Sequence, residues 1–150
     1  MFRGRYEHTI DTKGRLSVPS KFRDVLLGKN DDRIIITNFS LTGLRCLEVY
    51  PFDEWQRLEE QIRTKPQFDP DMVTFQNYYI GSASECIVDK QGRILIPPAL
   101  RQYANLKRDA VFVGALEKFR VWDRETWEKS SLHAEDKFAQ DPEFLRRLGF

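Results

Sequence analysis

Only two cysteines and two histidines occur in the 150 residues of this chain, and none stands at a spacing that holds a metal ion. Cys46 and Cys86 fall in strand-like runs, where reduced, half-buried thiols are expected and a structural disulfide is not. The sequence has no phosphate-cradling glycine loop and no nucleophile elbow, so two common signatures of enzymes are missing. No run approaches the roughly 20 apolar residues of a membrane span. The first residues, Met1-Phe2-Arg3-Gly4-Arg5, lack the apolar stretch of a secretion signal, and a cytoplasmic protein is expected. Net charge is nearly absent too. At +1, it argues by itself against an obligate nucleic-acid binder.

What is present is one motif written twice. Residues 8–23 read His8-Thr9-Ile10-Asp11-Thr12-Lys13-Gly14-Arg15-Leu16-Ser17-Val18-Pro19-Ser20-Lys21-Phe22-Arg23. Residues 86–101 read Cys86-Ile87-Val88-Asp89-Lys90-Gln91-Gly92-Arg93-Ile94-Leu95-Ile96-Pro97-Pro98-Ala99-Leu100-Arg101. Asp, Gly, Arg, Pro and the final Arg recur at one offset of 78, and the apolar positions match as well. Further on, Val49-Tyr50 and Trp55 answer to Val121-Trp122 and Trp127 at an offset of 72. The first copy therefore holds about six extra residues, expected in a loop near residues 38–43, where insertions cost little. A duplication of this length fixes the architecture before any local reading.

Within each copy the pattern predicts a short strand, a turn, a second strand and a short helix opened by proline. The turns are Asp11-Thr12-Lys13-Gly14 and Asp89-Lys90-Gln91-Gly92. Asp at the first position bonds backbone N–H groups two residues on, and Gly supplies the positive φ that closes the turn. Two more β-rich runs follow in each copy, then a helix, with Asp53 and Asp123 expected as N-caps. Trp55, Leu58 and Ile62 form one apolar stripe, and Trp127, Ala134 and Phe138 another, both expected to face a core. Asp69-Pro70 opens a further helix carrying Met72, Phe75 and Tyr79, and Asp141-Pro142 a last short one.

One such module has unpaired edges and too little core to stand alone. Two can close on each other by exchanging hairpins. The expected fold is α+β: a duplicated swapped-hairpin β-barrel with short helices and a pseudo-twofold axis within the chain. The expected divisions are a first module at 1–60, a connecting helical segment at 61–82, a second module at 83–127 and a helical extension at 128–150. The two Asp–Gly turns would then lie near each other on one face.

Charge is unevenly placed, and the net value hides this. Residues 1–24 carry six basic side chains against three acids, and residues 48–71 carry three against seven. A surface facing phosphates needs the local field, not the average. Nucleic-acid binding is therefore a candidate function despite the near-zero total. The candidate DNA contacts are Lys13, Arg15, Lys90 and Arg93, on the turns and strands of a two-stranded ribbon that can enter the major groove, with Arg3 and Arg5 just upstream. Asp11, Gly14, Asp89 and Gly92 are the candidate hairpin-shaping residues. The pairs Asp11–Arg15 and Asp89–Arg93 admit a second reading as salt bridges that hold each hairpin, and both readings can apply to the same residue. An enzyme built on Asp11 and Asp89 as a shared-proton pair fits poorly, because Lys13 or Gln91 stands where that chemistry wants a compact Asp-Thr-Gly loop. His8 is replaced by Cys86 in the repeat and His133 lies outside it, so neither is expected to act as a base. No cofactor, metal or small-molecule substrate is expected.

The two motifs, with Met1-Phe2-Arg3-Gly4 and the tryptophan-bearing ends near Trp55 and Trp127, closely resemble the MraZ family over residues 1–127. The resemblance implies a bacterial transcriptional regulator with two SpoVT/AbrB-type modules that binds double-stranded DNA at short G-rich direct repeats. It implies a repressor of the division and cell-wall gene cluster in which it is itself encoded, associated with the nucleoid and assembled as a homo-oligomeric ring. The family's Asp-x-x-x-Arg element maps onto Asp11 with Arg15 and Asp89 with Arg93. Arg15 is expected to matter more, because Gln91 replaces Lys13 in the second copy. The alternatives are an AbrB-like antitoxin, whose extended tail residues 128–150 do not resemble, and a non-specific nucleoid or ring-forming protein.

Overall fold

The computed structural model describes residues 1–150. The first copy forms β1 (Arg5–Thr9), β2 (Arg15–Ser17), α1 (Ser20–Leu27), β3 (Arg33–Leu41), β4 (Leu44–Pro51) and α2 (Phe52–Arg63). A connecting α3 (Pro70–Phe75) runs into a π-helical turn at Gln76–Ile80. The second copy forms β5 (Ser84–Ile87), β6 (Arg93–Leu95), α4 (Pro98–Tyr103), β7 (Asp109–Ala115), β8 (Lys118–Asp123) and α5 (Arg124–Gln140), and α6 (Phe144–Arg147) closes the chain. The result is a mixed α+β protein whose strands all pair antiparallel.

A six-stranded sheet runs β1-β7-β8-β4-β3-β5, and β2 pairs with β6 as a separate ribbon. Exchanging the two copies reverses the six-strand order and leaves it unchanged. The first strand of each copy is paired into the other copy's hairpin, β1 on β7 and β5 on β3. Leu16 stands opposite Ile94, its own counterpart at offset 78. Glu48 stands opposite Arg120, its counterpart at offset 72. The pseudo-twofold axis passes through both pairs.

The largest core cluster joins 19 buried residues from both copies, including Leu16, Val18 and Phe22 with their counterparts Ile94, Ile96 and Leu100. Phe2, Phe22, Phe112 and Phe119 meet in it with ring centroids 5.0–6.2 Å apart. Burying each such ring contributes roughly 1.5–3 kcal/mol. A smaller cluster of Ile35, Tyr50, Trp55 and Tyr79 lies with α2 and the π-helical turn on another part of the sheet.

The structure corrects four local expectations. The six extra residues of the first copy do not make a loop. Two lengthen α1, eight residues against six in α4, and four lengthen the β3–β4 hairpin relative to β7–β8. Its turn keeps only Thr42 and Gly43, at φ 53° and 78°, so the added residues extend the paired ladder. Asp53 is not an N-cap. The position equivalent to Asp123 is Pro51, which precedes α2, and Asp53 lies inside the first turn, 2.9 Å from Lys29 Nζ. Asp123 does cap α5, accepting from the Thr126 amide. The α5 stripe is not core. Trp127 is half-buried against Trp122, while Ala134 and Phe138 are exposed, because a helix of 17 residues is roughly 25 Å long and outreaches the sheet. Asp141 does not cap α6, which starts after Glu143; its carboxylate instead joins Lys137 and Arg147.

Candidate nucleic-acid interface

Both repeated turns are built alike from the aspartate outward. Asp11 Oδ1 accepts from the amides of Lys13 and Arg15, each at 2.9 Å, and its carbonyl accepts from the Gly14 amide at 3.0 Å. Asp89 Oδ1 accepts from the amides of Gln91 and Arg93, each at 2.9 Å, and its carbonyl from Gly92 at 2.9 Å. Gly14 and Gly92 close the turns at φ +83° and +75°, values that a side chain would strain. The Arg15 amide, above every other group, holds the Asp11 carboxyl below its ordinary pKa, and the Arg93 amide does the same for Asp89. Both carboxylates are therefore ionised near neutral pH.

The second oxygen of each aspartate holds an arginine. Arg15 Nε donates to Asp11 Oδ2 at 2.7 Å, and Arg93 Nε to Asp89 Oδ2 at 3.0 Å. These are ion pairs on side chains 34% and 29% exposed, so their direct worth to stability is small. Their effect is geometric. Each guanidinium is oriented through Nε alone, and its two terminal nitrogens remain available to an outside acceptor.

The ribbon puts both arginines on one face. Leu16 and Ile94 are fully buried beneath it, so the period-two alternation turns Arg15, Ser17, Arg93 and Leu95 outward. Arg15 lies opposite Leu95 and Arg93 opposite Ser17, a diagonal relation that sets the two arginines about 7–8 Å apart.

Two further arginines, which the sequence motifs did not place in the site, complete the turns crosswise. A Cβ at Gly14 would stand 2.4 Å from Arg101 Nη1, and one at Gly92 would stand 2.3 Å from Arg23 Cδ. Each turn is covered by the closing arginine of the other copy, and Arg23 Nε is buried there without a partner. The recurrence of these arginines at offset 78 is visible in the sequence, but their reach to the opposite turn depends on the strand exchange. Each turn thus gathers three basic residues: Lys13, Arg15 and Arg101, or Lys90, Arg93 and Arg23. The second also shares a cavity of about 550 Å³ with Asp31 and Asp32, while Glu85 is the one acid in the groove beside the first.

Arg3 and Arg5 lie elsewhere. They sit beside the β7–β8 turn, with Phe2 bridged to Leu116 and the Arg5 guanidinium 5.5 Å from the Trp127 ring centre. Six residue steps of extended chain take Arg5 to Asp11, roughly 20 Å. His8 packs edge-on against Phe112, with ring centres 5.4 Å apart. Cys46 and Cys86 are both free, and burial pushes the Cys46 thiol up to about 12.

A family model described as "MraZ protein, putative antitoxin-like" matches residues 1–78 and again residues 79–147, once on each copy. The chain belongs to the MraZ family. Similar MraZ proteins, each named transcriptional regulator MraZ, include that of Desulfitobacterium hafniense, 46% identical over 150 residues and covering 99% of both chains. That of Lachnoclostridium phytofermentans is 47% identical over 139 residues, 93% of each chain. That of Syntrophobacter fumaroxidans is 40% identical over 148 residues, 99% of this chain and 96% of its own. The two MraZ matches meet between Tyr78 and Tyr79, inside the π-helical turn. No helix of this MraZ chain is long and apolar enough to cross a membrane.

Proposed function

We propose that this chain is a DNA-binding transcriptional regulator that presents the outward face of the β2–β6 ribbon to the major groove. The observation that carries this reading is the pair Arg15 and Arg93, on one face and each oriented through Nε alone. An arginine held in that way offers two donors to guanine O6 and N7. Lys13 and Lys90, on the turns, contact phosphates and set register without reading sequence. Arg3 and Arg5 join only as outlying phosphate contacts. The names of the relatives support regulation of transcription as the purpose of binding.

In this reading the strand exchange is the swapped-hairpin barrel of the SpoVT/AbrB type. Its modules are residues 1–60 and 83–127, joined by 61–82 and extended by 128–150. The protein acts on short G-rich direct repeats in the promoter of the division and cell-wall cluster that encodes it, as a repressor and autoregulator within the nucleoid. A homo-oligomeric ring suits direct repeats, because subunits related by rotation offer one arginine face each to successive sites. Arg15 contributes more than Arg93, since its turn has fewer acids beside it.

The test is quantitative binding of folded Arg15→Ala and Arg93→Ala to a duplex from upstream of the chain's own gene. Losses of about 1–3 kcal/mol, with relaxed base preference at one position each, are expected for bidentate contacts. Unchanged affinity in both variants would return the arginines to a purely structural role.

A further inference from the structure

The pseudo-twofold axis sets one demand that a duplicated chain must meet. The two copies present equivalent strands in the same order, so the backbone of β4 in one chain could pair with β4 of another as it does with its own β8. At the ribbon end of the axis nothing opposes this, since Leu16 and Ile94 are both apolar and buried. The sheet end is different.

There Glu48, 2% exposed, faces its own counterpart Arg120, whose Nε donates to Glu48 Oε2 at 2.8 Å. Lys118 lies 3.8 Å from the same oxygen. The other carboxylate oxygen accepts from the Tyr79 hydroxyl, which also meets the Tyr50 hydroxyl at 2.7 Å. The Lys118 ammonium stands 5.1 Å from the Tyr50 ring centre and the Arg120 guanidinium 5.0 Å from that of Phe39. The first copy thus brings a buried carboxylate and two aromatic rings, and the second brings the two cations that meet them. Position 46, the counterpart of Lys118, is an uncharged buried cysteine.

We infer that the Glu48–Arg120 pair selects which copy pairs with which, so that a first copy pairs with a second copy and not with another first. Like-with-like pairing would set Glu48 against Glu48, or Arg120 and Lys118 against the same two cations. Directly opposed residues on paired strands stand about 4.5–5.5 Å apart at Cβ, and a buried charge without a counter-charge is strongly disfavoured. An apolar pair of the same shape would often be as stable, but it would not distinguish the copies. A single buried polar residue sets register and oligomer state in coiled coils by the same logic. The inference does not depend on what the ribbon binds.

The test uses the full chain in three forms: Glu48→Arg, Arg120→Glu and the double exchange. Each single reversal sets like charges on the axis and is expected to lower the thermal midpoint by roughly 10 °C. The double exchange is expected to recover at least half of that loss. When the two single variants are refolded together, chains that trade modules regain opposite charges at both axes, so a transition above either variant alone is expected. Should the single variants not fold, soluble folded protein from their co-expression, and from neither alone, supports the inference equally. A double variant no better than the combined singles, or a mixture that melts as its two components, would overturn it. So would insoluble co-expression.

Discussion

An arginine held through Nε keeps two donors for a second partner, and Arg15 and Arg93 are both held this way. The salt bridge and the proposed DNA contact are therefore compatible on one side chain. Arg15→Ala is expected to weaken specific duplex binding by about 1–3 kcal/mol, whereas Lys90→Ala should weaken binding to every sequence and reduce the salt slope by about one. Anisotropy titrations at several salt concentrations separate the two outcomes. Gly14→Ala is expected to destabilise the fold by about 1–3 kcal/mol, because alanine at φ +83° is strained and its methyl meets Arg101. Denaturant titration checks this. The turns are legible from sequence because Asp and Gly act on the backbone within four residues. Arg23 and Arg101 are not, because their partner glycines lie 69 and 87 positions away.

At the scale of elements, proline, aspartate and glycine mark most helix starts and turns, while long-range packing sets the rest. Asp123 and Asp69 cap as expected, but Pro51 displaces Asp53 into the first turn of α2. Tyr79 lies on the expected apolar side of its helix, yet its hydroxyl binds Glu48, a strand partner no periodicity reveals. Tyr79→Phe is expected to cost about 1–3 kcal/mol by leaving Glu48 Oε1 without that donor, read as a lower denaturation midpoint. The α5–α6 junction offers a pH test. Asp141 is lowered to about 2, chiefly by its hydrogen bond from Arg147 and then by that from Lys137. Its unfolded value is roughly 3.9, so the contribution is complete above that pH and disappears as pH falls through about 2. The Asp141 carboxyl carbon shift, followed by NMR, should titrate near 2, and a midpoint near 4 would remove the ion pairs from the junction.

Over the whole molecule, duplication explains both the core and the candidate site. Its offset of 78 is the register of the β2–β6 pair about Leu16 and Ile94, and the offset of 72 is the register of β4–β8 about Glu48 and Arg120. The repeat foretells two modules with their turns near each other on one face, but only the folded ribbon sets Arg15 and Arg93 diagonally across that face, with Arg3 and Arg5 at the other end of β1. The most direct test of that face is fluorescence anisotropy of the intact protein at near-physiological salt. A duplex from upstream of its own gene is compared with a scrambled duplex of equal length. A preference of at least about 10³ for the native duplex, reduced by about 1–3 kcal/mol in Arg15→Ala, is expected. Equal affinity for both duplexes, or none for either, would contradict a sequence-reading ribbon.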